Sequence, residues 1–545
     1  MKTTWPPSKR QNAADFIWTY GKKWASCTAL AYLALLPYFY EVYDLENRRA
    51  LNYGRDSYYA ILLAVASYGL VLFTTFRLAD AIADRIRKLR PVTDLAIAGI
   101  SYFLVVRSLF GLLLRGSLLP PPLSSWVTSG LGKLLYYGFV PALLAGFLRP
   151  ARVRRIADAL GTMLIPALAY GSLIFLFFAP AQDLPENELE SSCRAFTDSR
   201  PESEVGSSGL SDILIFIYDE WEYDQAFPEG RLLATLTNLQ AFADTATTYH
   251  RAYSLGSSTM TALPRFLFQN NPSFVAQSYP EISRFLLSGQ HPQGPSLFDA
   301  IPASHFKVFL GAGFDYETMV GPRIQYVGRY DTEAGWRNFR RQYTMLLRTQ
   351  IDFLRHFIKS WSHMPDRVHL VFFQAQKTMP PDVERLLEHV NPPLAGIFHF
   401  CFPHFPYVWN RDGLKTTDPR QLEFMISAAA PHTRQGYLDN MQYVDTLVGR
   451  HVEILKRRNR FDQALIVITS DHAWKYDPTR AFPDHLAEDA DEWSPMKHVV
   501  CWIKLPRQTQ AFHIYDPFSL KEIQQVIAAC MPPPAMPHSS PPPAL

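Results

Sequence analysis

Hydrophobic residues follow two different patterns along this 545-residue chain, and the change falls near residue 180. Before it come five long apolar stretches, roughly Trp24–Tyr40, Tyr58–Phe76, Leu95–Leu114, Trp126–Leu148 and Leu160–Ala179. Each approaches the ~20 residues that a helix needs to cross a bilayer. After it, the apolar runs shorten to strand length and alternate with polar segments. Ile213–Tyr218, Lys307–Leu310, Val368–Phe373, Ile397–Phe402, Ala464–Ile468 and Val499–Ile503 read as strands buried on both faces. The clearest helix between them is Tyr437–Leu455, where Leu438, Met441, Val444, Val448, Val452 and Leu455 recur at three- and four-residue steps. Strands alternating with helices predict an α/β sandwich around a mostly parallel sheet. The expected organisation is a five-helix transmembrane region over 1–180 and a linker rich in Pro, Glu and Ser over 181–210. An α/β domain over 211–530 and a Pro-rich tail over 531–545 complete it.

Charge gives the spans a direction. Lys2, Lys9, Arg10, Lys22 and Lys23 precede the first span; Arg77, Arg85, Arg87, Lys88 and Arg90 separate the second from the third. Arg149, Arg152, Arg154 and Arg155 separate the fourth from the fifth, whereas the opposite loops carry Arg48, Arg49, Arg55 and Arg115. Fourteen basic residues against four put the N-terminus in the cytoplasm. An odd number of spans then places everything after Ala179 outside, and the first span reads as a retained helix rather than a cleaved signal. The expected location is a bacterial inner membrane with the C-terminal domain periplasmic or extracellular. A net charge of +3, with no basic aromatic stripe, argues against nucleic-acid binding. Cys27 lies in the first span; Cys193, Cys401, Cys501 and Cys530 permit one or two disulfides, or isolated buried thiols.

In open α/β sheets, ligands collect at the carboxyl ends of the strands. Asp219 and Glu220 end the first predicted strand, His404 follows Phe400-Cys401-Phe402-Pro403, and Asp471-His472 follow Ile466–Ser470. Singly, each has an ordinary explanation: an acid after a strand commonly caps a helix, and a lone histidine is commonly a satisfied polar residue. Together at strand ends they form a mixed oxygen and nitrogen set suited to a divalent cation, Zn²⁺ or Mn²⁺ rather than Ca²⁺. Hydroxyls follow Gly256 in Ser257-Ser258-Thr259, just before a helical stretch. A helix N-terminus favours oxyanions, and a cation beside a hydroxyl makes it a better nucleophile. An ordinary N-cap accounts for the same residues.

The segments Ile213–Tyr223 (ILIFIYDEWEY), Ala252–Leu267 (AYSLGSSTMTALPRFL), Phe398–Trp409 (FHFCFPHFPYVW) and Tyr437–His472 occur in that order across most of residues 211–505. The last carries Tyr437, Val444 and Asp445 on its helix and ends its strand in Thr469-Ser470-Asp471-His472. In this order they resemble the sulfatase-like branch of the alkaline phosphatase superfamily. Five spans before an exported domain also resemble the lipoteichoic acid synthase and phosphoethanolamine transferase architecture.

The resemblance implies that Glu220, Asp471 and His472 bind metal, with Asp219 a further or alternative ligand and Thr259 the metal-bound nucleophile. It implies that His404 contacts the transferred group or a second metal and that Lys497 and His498 bind the anionic group. Asn440 and Asp445 would be structural. A phospho-group would pass from a phospholipid, through phosphothreonine, to an extracytoplasmic glycan, lipid or water. A phosphate- or sulfate-ester hydrolase with the same site, and a catalytically inactive membrane scaffold, are the alternatives. Formylglycine sulfatases carry Cys or Ser two residues before the proline of Cys-x-Pro-Ser-Arg, and here Ala262 stands before Pro264, which argues against that route. The Gly-Lys-Trp/His element is missing near Phe306–Met319, and Leu255 and Arg265 replace the cysteines that flank the nucleophile in phosphoethanolamine transferases.

Overall fold

The computed structural model describes residues 9–34, 55–115, 150–166, 169, 188–198, 212–268, 292, 294–312, 316–330, 343, 367–391, 393–426, 431–475 and 493–531. The chain divides into two compact units. One comprises Met1–Arg48, Asn52–Leu184 and Ala334–Lys359; the other comprises Arg49–Leu51, Pro185–Glu333 and Ser360–Leu545.

The first unit contains helices α1 (Lys9–Ala34), α2 (Arg55–Arg85), α3 (Arg90–Arg115) and α4 (Pro150–Met163). Cys27 and Leu30 of α1, Phe76 of α2, and Ile97 and Leu104 of α3 form one apolar cluster. A Cβ on Gly69 would lie 2.3 Å from Thr28 Oγ1, so the glycine lets α1 and α2 approach closely. The same α2 leaves Leu63, Leu70, Val71, Leu78 and Ile82 exposed, and a helix apolar on its open as well as its packed face suits an apolar solvent. Among the described residues, one helix, over Tyr59–Arg85, is long and apolar enough to cross a membrane, where the sequence predicts five. The polar content of two others explains part of the difference: α1 contains Lys22 and Lys23, and α4 begins with Arg152, Arg154 and Arg155. The third expected span lies within α3. The end of the first, most of the fifth and all of 126–148 fall outside the described residues.

The second unit is built on an eight-stranded sheet. Its strands are β1 (Ile213–Asp219), β2 (Thr247–Tyr249), β4 (Phe306–Gly311), β5 (Tyr326–Arg329), β6 (Leu394–Pro403), β7 (Leu465–Ser470), β9 (Cys501–Lys504) and β10 (Phe512–Ile514), with β3 (Ala252–Tyr253) and β8 (His498–Val499) paired in a smaller sheet. The large sheet runs β10-β2-β9-β7-β1-β6-β4-β5. Strands β7, β1, β6, β4 and β5 are parallel, while β9 is antiparallel to β7 and β2 to β9. Helices α5 (Thr259–Leu267), α6 (Tyr316–Val320), α7 (Arg367–His389) and α8 (Arg434–Arg457) accompany it. Alternation along β1 feeds two cores. Leu214, Phe216 and Tyr218 join Met379 and Val383 of α7 and Met441 and Val444 of α8; Ile213, Ile215 and Ile217 join Leu263, Phe266 and Leu267 of α5. Both faces are covered, which is why the strands read as continuous apolar runs.

Two expectations change. Val368–Phe373 lies in α7, because the run continues into Ala375, Met379, Val383, Leu386 and Leu387 at helical spacing, and a short, mostly apolar run is ambiguous by itself. Within 181–210, Glu188–Asp198 is helical: Leu189, Cys193 and Phe196 recur at helical steps and pack on the core, with Phe196 5.3 Å from Phe306 between ring centroids. All five cysteines are free thiols. The tail from 532 onward lies outside the described residues.

A buried ion pair locks the sheet's entry. The Asp212 carboxylate accepts the Leu394 N–H at 2.8 Å and meets Arg460 Nε at 2.7 Å, and Arg460 also donates to the Leu387 and Val390 carbonyls. Asp212→Ala strands a buried guanidinium and should cost about 3–5 kcal/mol in denaturant unfolding of the full chain. A loss below about 1 kcal/mol would show that the pair is dispensable.

Candidate active site

Three adjacent strands end at one place. β1 delivers Asp219 and Glu220, β7 delivers Asp471 and His472, and β6 delivers His399 within the strand and His404 just beyond it. The turn after β1 is held hard. Glu220 takes φ 65°, a left-handed conformation that costs a non-glycine residue about 1–3 kcal/mol. Its carbonyl accepts the Tyr437 hydroxyl at 2.7 Å, its N–H reaches Asp471 Oδ1 at 3.2 Å, and the next two N–H groups go to Ser470 Oγ and Tyr437 Oη. Strain maintained by this many bonds marks a side chain that must face one way.

Thr259 arrives from the other side as the first residue of α5. The cap residue, Ser258, makes no side-chain cap bond, and the Thr259 hydroxyl does not cap the helix either. Instead Oγ1 donates to Asp471 Oδ2 at 2.8 Å and lies 3.2 Å from His472 Nε2. An ordinary N-cap does not account for that placement. Gly256 makes the approach possible, since a Cβ there would sit 2.2 Å from Thr261 Oγ1 and 2.5 Å from the Ala262 nitrogen.

Asp219, Asp471 and His472 form a buried cluster whose ligand atoms lie within 4.8 Å of one another. Asp219 Oδ1 and both Glu220 carboxyl oxygens are buried and meet no hydrogen-bond partner among the described residues. Burial, reinforced by Asp471, pushes the Asp219 carboxyl well above its usual range, and burial pushes Glu220 up to about 8. Lys475 offsets only part of this for both acids, and buried carboxyls that still stand above their usual range are what a divalent cation resolves, so the residues suit one. Burial also acts upward on Asp471, but His472, His399 and the Thr259 hydroxyl outweigh it and hold that carboxyl low.

The histidines are oriented for the same purpose. His472 Nδ1 lies 2.8 Å from the Ala473 carbonyl and His404 Nδ1 2.6 Å from the Phe405 carbonyl. Carbonyls only accept, so each Nδ1 carries the proton and each Nε2 presents a lone pair, the arrangement metal-binding histidines need. Burial pushes His472 down to about 3 and His404 down to about 4, which keeps both neutral. His472 Nε2 faces Asp219 Oδ1 at 3.5 Å and Asp471 Oδ2 at 3.5 Å. His404 Nε2 faces Glu220 Oε1 at 3.8 Å, so Glu220 pairs with His404 rather than joining the Asp219 cluster.

The other sequence candidates are placed as follows. Asn440 clamps the His404 loop, donating to the Pro403, His404 and Pro406 carbonyls and accepting the Trp409 N–H. Asp445 accepts the Leu239 N–H and Asn238 Nδ2, a structural role. Lys497 is buried, and its carbonyl accepts the Ser254 N–H next to the nucleophile loop. His498 contacts a different neighbourhood: Nε2 lies 3.1 Å from the His250 carbonyl, Nδ1 3.7 Å from Asp224, and its ring stacks on Tyr223 and Tyr253. Sequence reasoning missed His399, whose buried Nε2 lies 3.7 Å from Asp471 Oδ2. A signal was available: it is the one basic side chain in the ten-residue buried strand β6.

A family model described as Sulfatase matches residues 211–528, the whole of the sheet and every residue of this site. The chain belongs to the sulfatase family. Its matched domain, with the buried Asp219, Asp471 and His472 cluster, is a hydrolase or transferase of the alkaline phosphatase superfamily and carries a site for a divalent metal. This sulfatase-family protein is similar to several solved structures. The phosphonate monoester hydrolase of Agrobacterium radiobacter is 16% identical, with 58% of this chain and 72% of that one covered and a TM-score of 0.34. The lipoteichoic acid synthase LtaP from Listeria monocytogenes is 12% identical, covering 62% and 77%, with a TM-score of 0.37. The C-terminal periplasmic domain of EcEptC from Escherichia coli, in complex with Zn, is 13% identical, covering 61% and 84%, with a TM-score of 0.36. No curated protein matches the chain. No subfamily follows from likenesses this distant.

Proposed function

We propose that this sulfatase-family protein is a membrane-tethered transferase that moves a phospho-group from a phospholipid to an extracytoplasmic glycan or lipid. Thr259 is the nucleophile. The observation that carries the reading is Thr259 Oγ1 held 2.8 Å from Asp471 Oδ2 and 3.2 Å from His472 Nε2. A sulfatase route through formylglycine has no residue to use, because Ala262 occupies the convertible position. Asp219, Asp471 and His472 would hold Zn²⁺ or Mn²⁺, both suited to carboxylate and imidazole donors, with Glu220 and His404 facing each other beside them. When bound, the cation lowers the pKa of the Thr259 hydroxyl and offsets charge on the phosphoryl oxygens.

Asp471 Oδ2 orients the Thr259 hydroxyl, and water takes its proton. Oγ1 then forms a bond to phosphorus in line with the bond that breaks to the diacylglycerol oxygen, and water returns a proton to that oxygen. An acceptor hydroxyl attacks the phosphothreonine in the second step, the bond from phosphorus to Oγ1 breaks, and the acceptor's proton passes through water to Oγ1. His404, neutral and fixed by the Phe405 carbonyl, turns its Nε2 to Glu220 and would contact the transferred group. Little covalent chemistry is asked of the protein beyond the threonine, since positioning and charge supply most of phosphoryl transfer.

The apolar α2 helix supports a membrane tether, and the charge bias of the loops supports a cytoplasmic N-terminus. Incubating the purified full chain with a lipid extract and measuring the mass added to the Thr259 peptide tests the proposal. A head-group phosphate adduct is expected. Label released only as free phosphate or sulfate, never on an acceptor, would replace the transferase with a hydrolase.

A further inference from the structure

We propose that Tyr316 is a positioning residue that fixes His399 as a hydrogen-bond donor, with its Nε2–H turned to the reacting group, rather than as a metal ligand. What the donor meets, an anionic oxygen of a tetrahedral phosphoryl group, rests on the transferase reading; the state of the ring does not.

His399 sits in the middle of β6, in register with Ile217 on one side and Gly311 on the other. Its Nδ1 is 2.7 Å from the Tyr316 hydroxyl, and its Nε2 is buried, without a hydrogen bond, and 3.7 Å from Asp471 Oδ2. This differs from His404 and His472, whose Nδ1 atoms face carbonyls and must carry the proton. A hydroxyl can donate, so His399 has a choice that its neighbours lack. The second partner of Tyr316, the Ala312 carbonyl, is at 3.3 Å. If Tyr316 spent its proton there, His399 would carry Nδ1–H and aim a bare lone pair at the Asp471 carboxylate. If Tyr316 donates over the shorter 2.7 Å contact, Nε2 carries the proton and offers it toward Asp471, which itself accepts the Thr259 hydroxyl. The second arrangement makes the better bond and replaces a repulsion with an attraction.

The pose of Tyr316 is built rather than incidental. The side chain is fully buried, and its ring lies 4.3 Å from that of Phe309. A Cβ on Gly311 would come within 2.6 Å of its ring, so the glycine beside His399 in the sheet is what admits the tyrosine. Tyr316 lies in the Phe306–Met319 region, where the family's Gly-Lys-Trp/His element is missing.

The test is a long-range proton–nitrogen correlation on the full chain with ¹⁵N-labelled histidine, before and after Zn²⁺, with His399→Gln assigning the signal. Nε2–H is expected in both states, shifting toward Nδ1–H in Tyr316→Phe. Gly311→Ala, which keeps the hydroxyl but displaces the ring, should shift it the same way. Nδ1–H in the unmodified chain, or a Zn²⁺-coordinated Nε2, overturns the proposal. With bis-p-nitrophenyl phosphate as probe, Tyr316→Phe should lower kcat about 10-fold with KM little changed. It should change nothing further in a His399→Gln background, because the effect runs through that ring. An equal further loss in that background also overturns the proposal. Absence of turnover by the unmodified chain counts against the transferase reading alone, because the tautomer is still read directly.

Discussion

Thr259→Ala should lower turnover by at least about 10³-fold and remove the covalent adduct while leaving the protein folded. The expectation follows from where the hydroxyl spends its bond. Oγ1 does not cap α5; it donates to Asp471 and touches His472, so its loss removes a reacting atom and little else. The stability cost is that of one partly buried hydrogen bond, about 1 kcal/mol. The acids and His472 remain, so cation binding should survive. Thr259→Ser keeps a hydroxyl on the same backbone and should retain measurable turnover. Two assays separate the outcomes: mass of the isolated peptide for the adduct, and thermal unfolding with and without chelator for the cation. Full turnover by Thr259→Ala would remove the nucleophile assignment. Loss of the chelator response together with turnover would instead make Thr259 mainly a ligand.

Much of this site is legible in the amino-acid sequence, because its residues sit at the ends of apolar runs that strands alone explain. Asp219, Glu220, Asp471 and His472 follow such runs directly, and β1, β6 and β7 prove to be neighbours. What the sequence could not supply was partnership. Glu220 and Asp219 are consecutive, yet a left-handed turn sends one toward His404 and the other toward His472. His498 resembles a ligand in sequence, but stacking between Tyr223 and Tyr253 assigns it other contacts. His399 is hidden inside a strand, where one polar residue among apolar ones reads as core. The strand reading of Val368–Phe373 fails for a related reason: five apolar residues and a histidine have no visible period until the helix that continues them is seen.

Removing the divalent cation should lower the thermal midpoint on the order of 5–10 °C at pH 8, and by less at pH 6.5. The sign follows from the acids. Glu220 is pushed by burial from the usual 4.5 up to about 8, and Asp219 moves the same way. Below pH 4.5 both folded and unfolded chains keep the Glu220 proton, so nothing is lost. Between 4.5 and about 8 the unfolded chain releases it and the folded chain does not, so the cation-free fold weakens as pH rises. The imidazoles act oppositely. His404 and His472, pushed by burial down to about 4 and about 3, weaken the fold as pH falls below their usual 6.5. Between pH 6.5 and 8 the acids therefore dominate. A bound cation needs the carboxylates ionised and the imidazoles neutral, so its affinity rises across the same interval, and the gap between loaded and chelated protein should widen. Asp471→Ala removes a shared ligand and should abolish the chelator response at both pH values. Equal midpoints with and without chelator, at pH 6.5 and at pH 8, would rule out a metal centre here. The buried acids would then have to be held protonated by the fold alone.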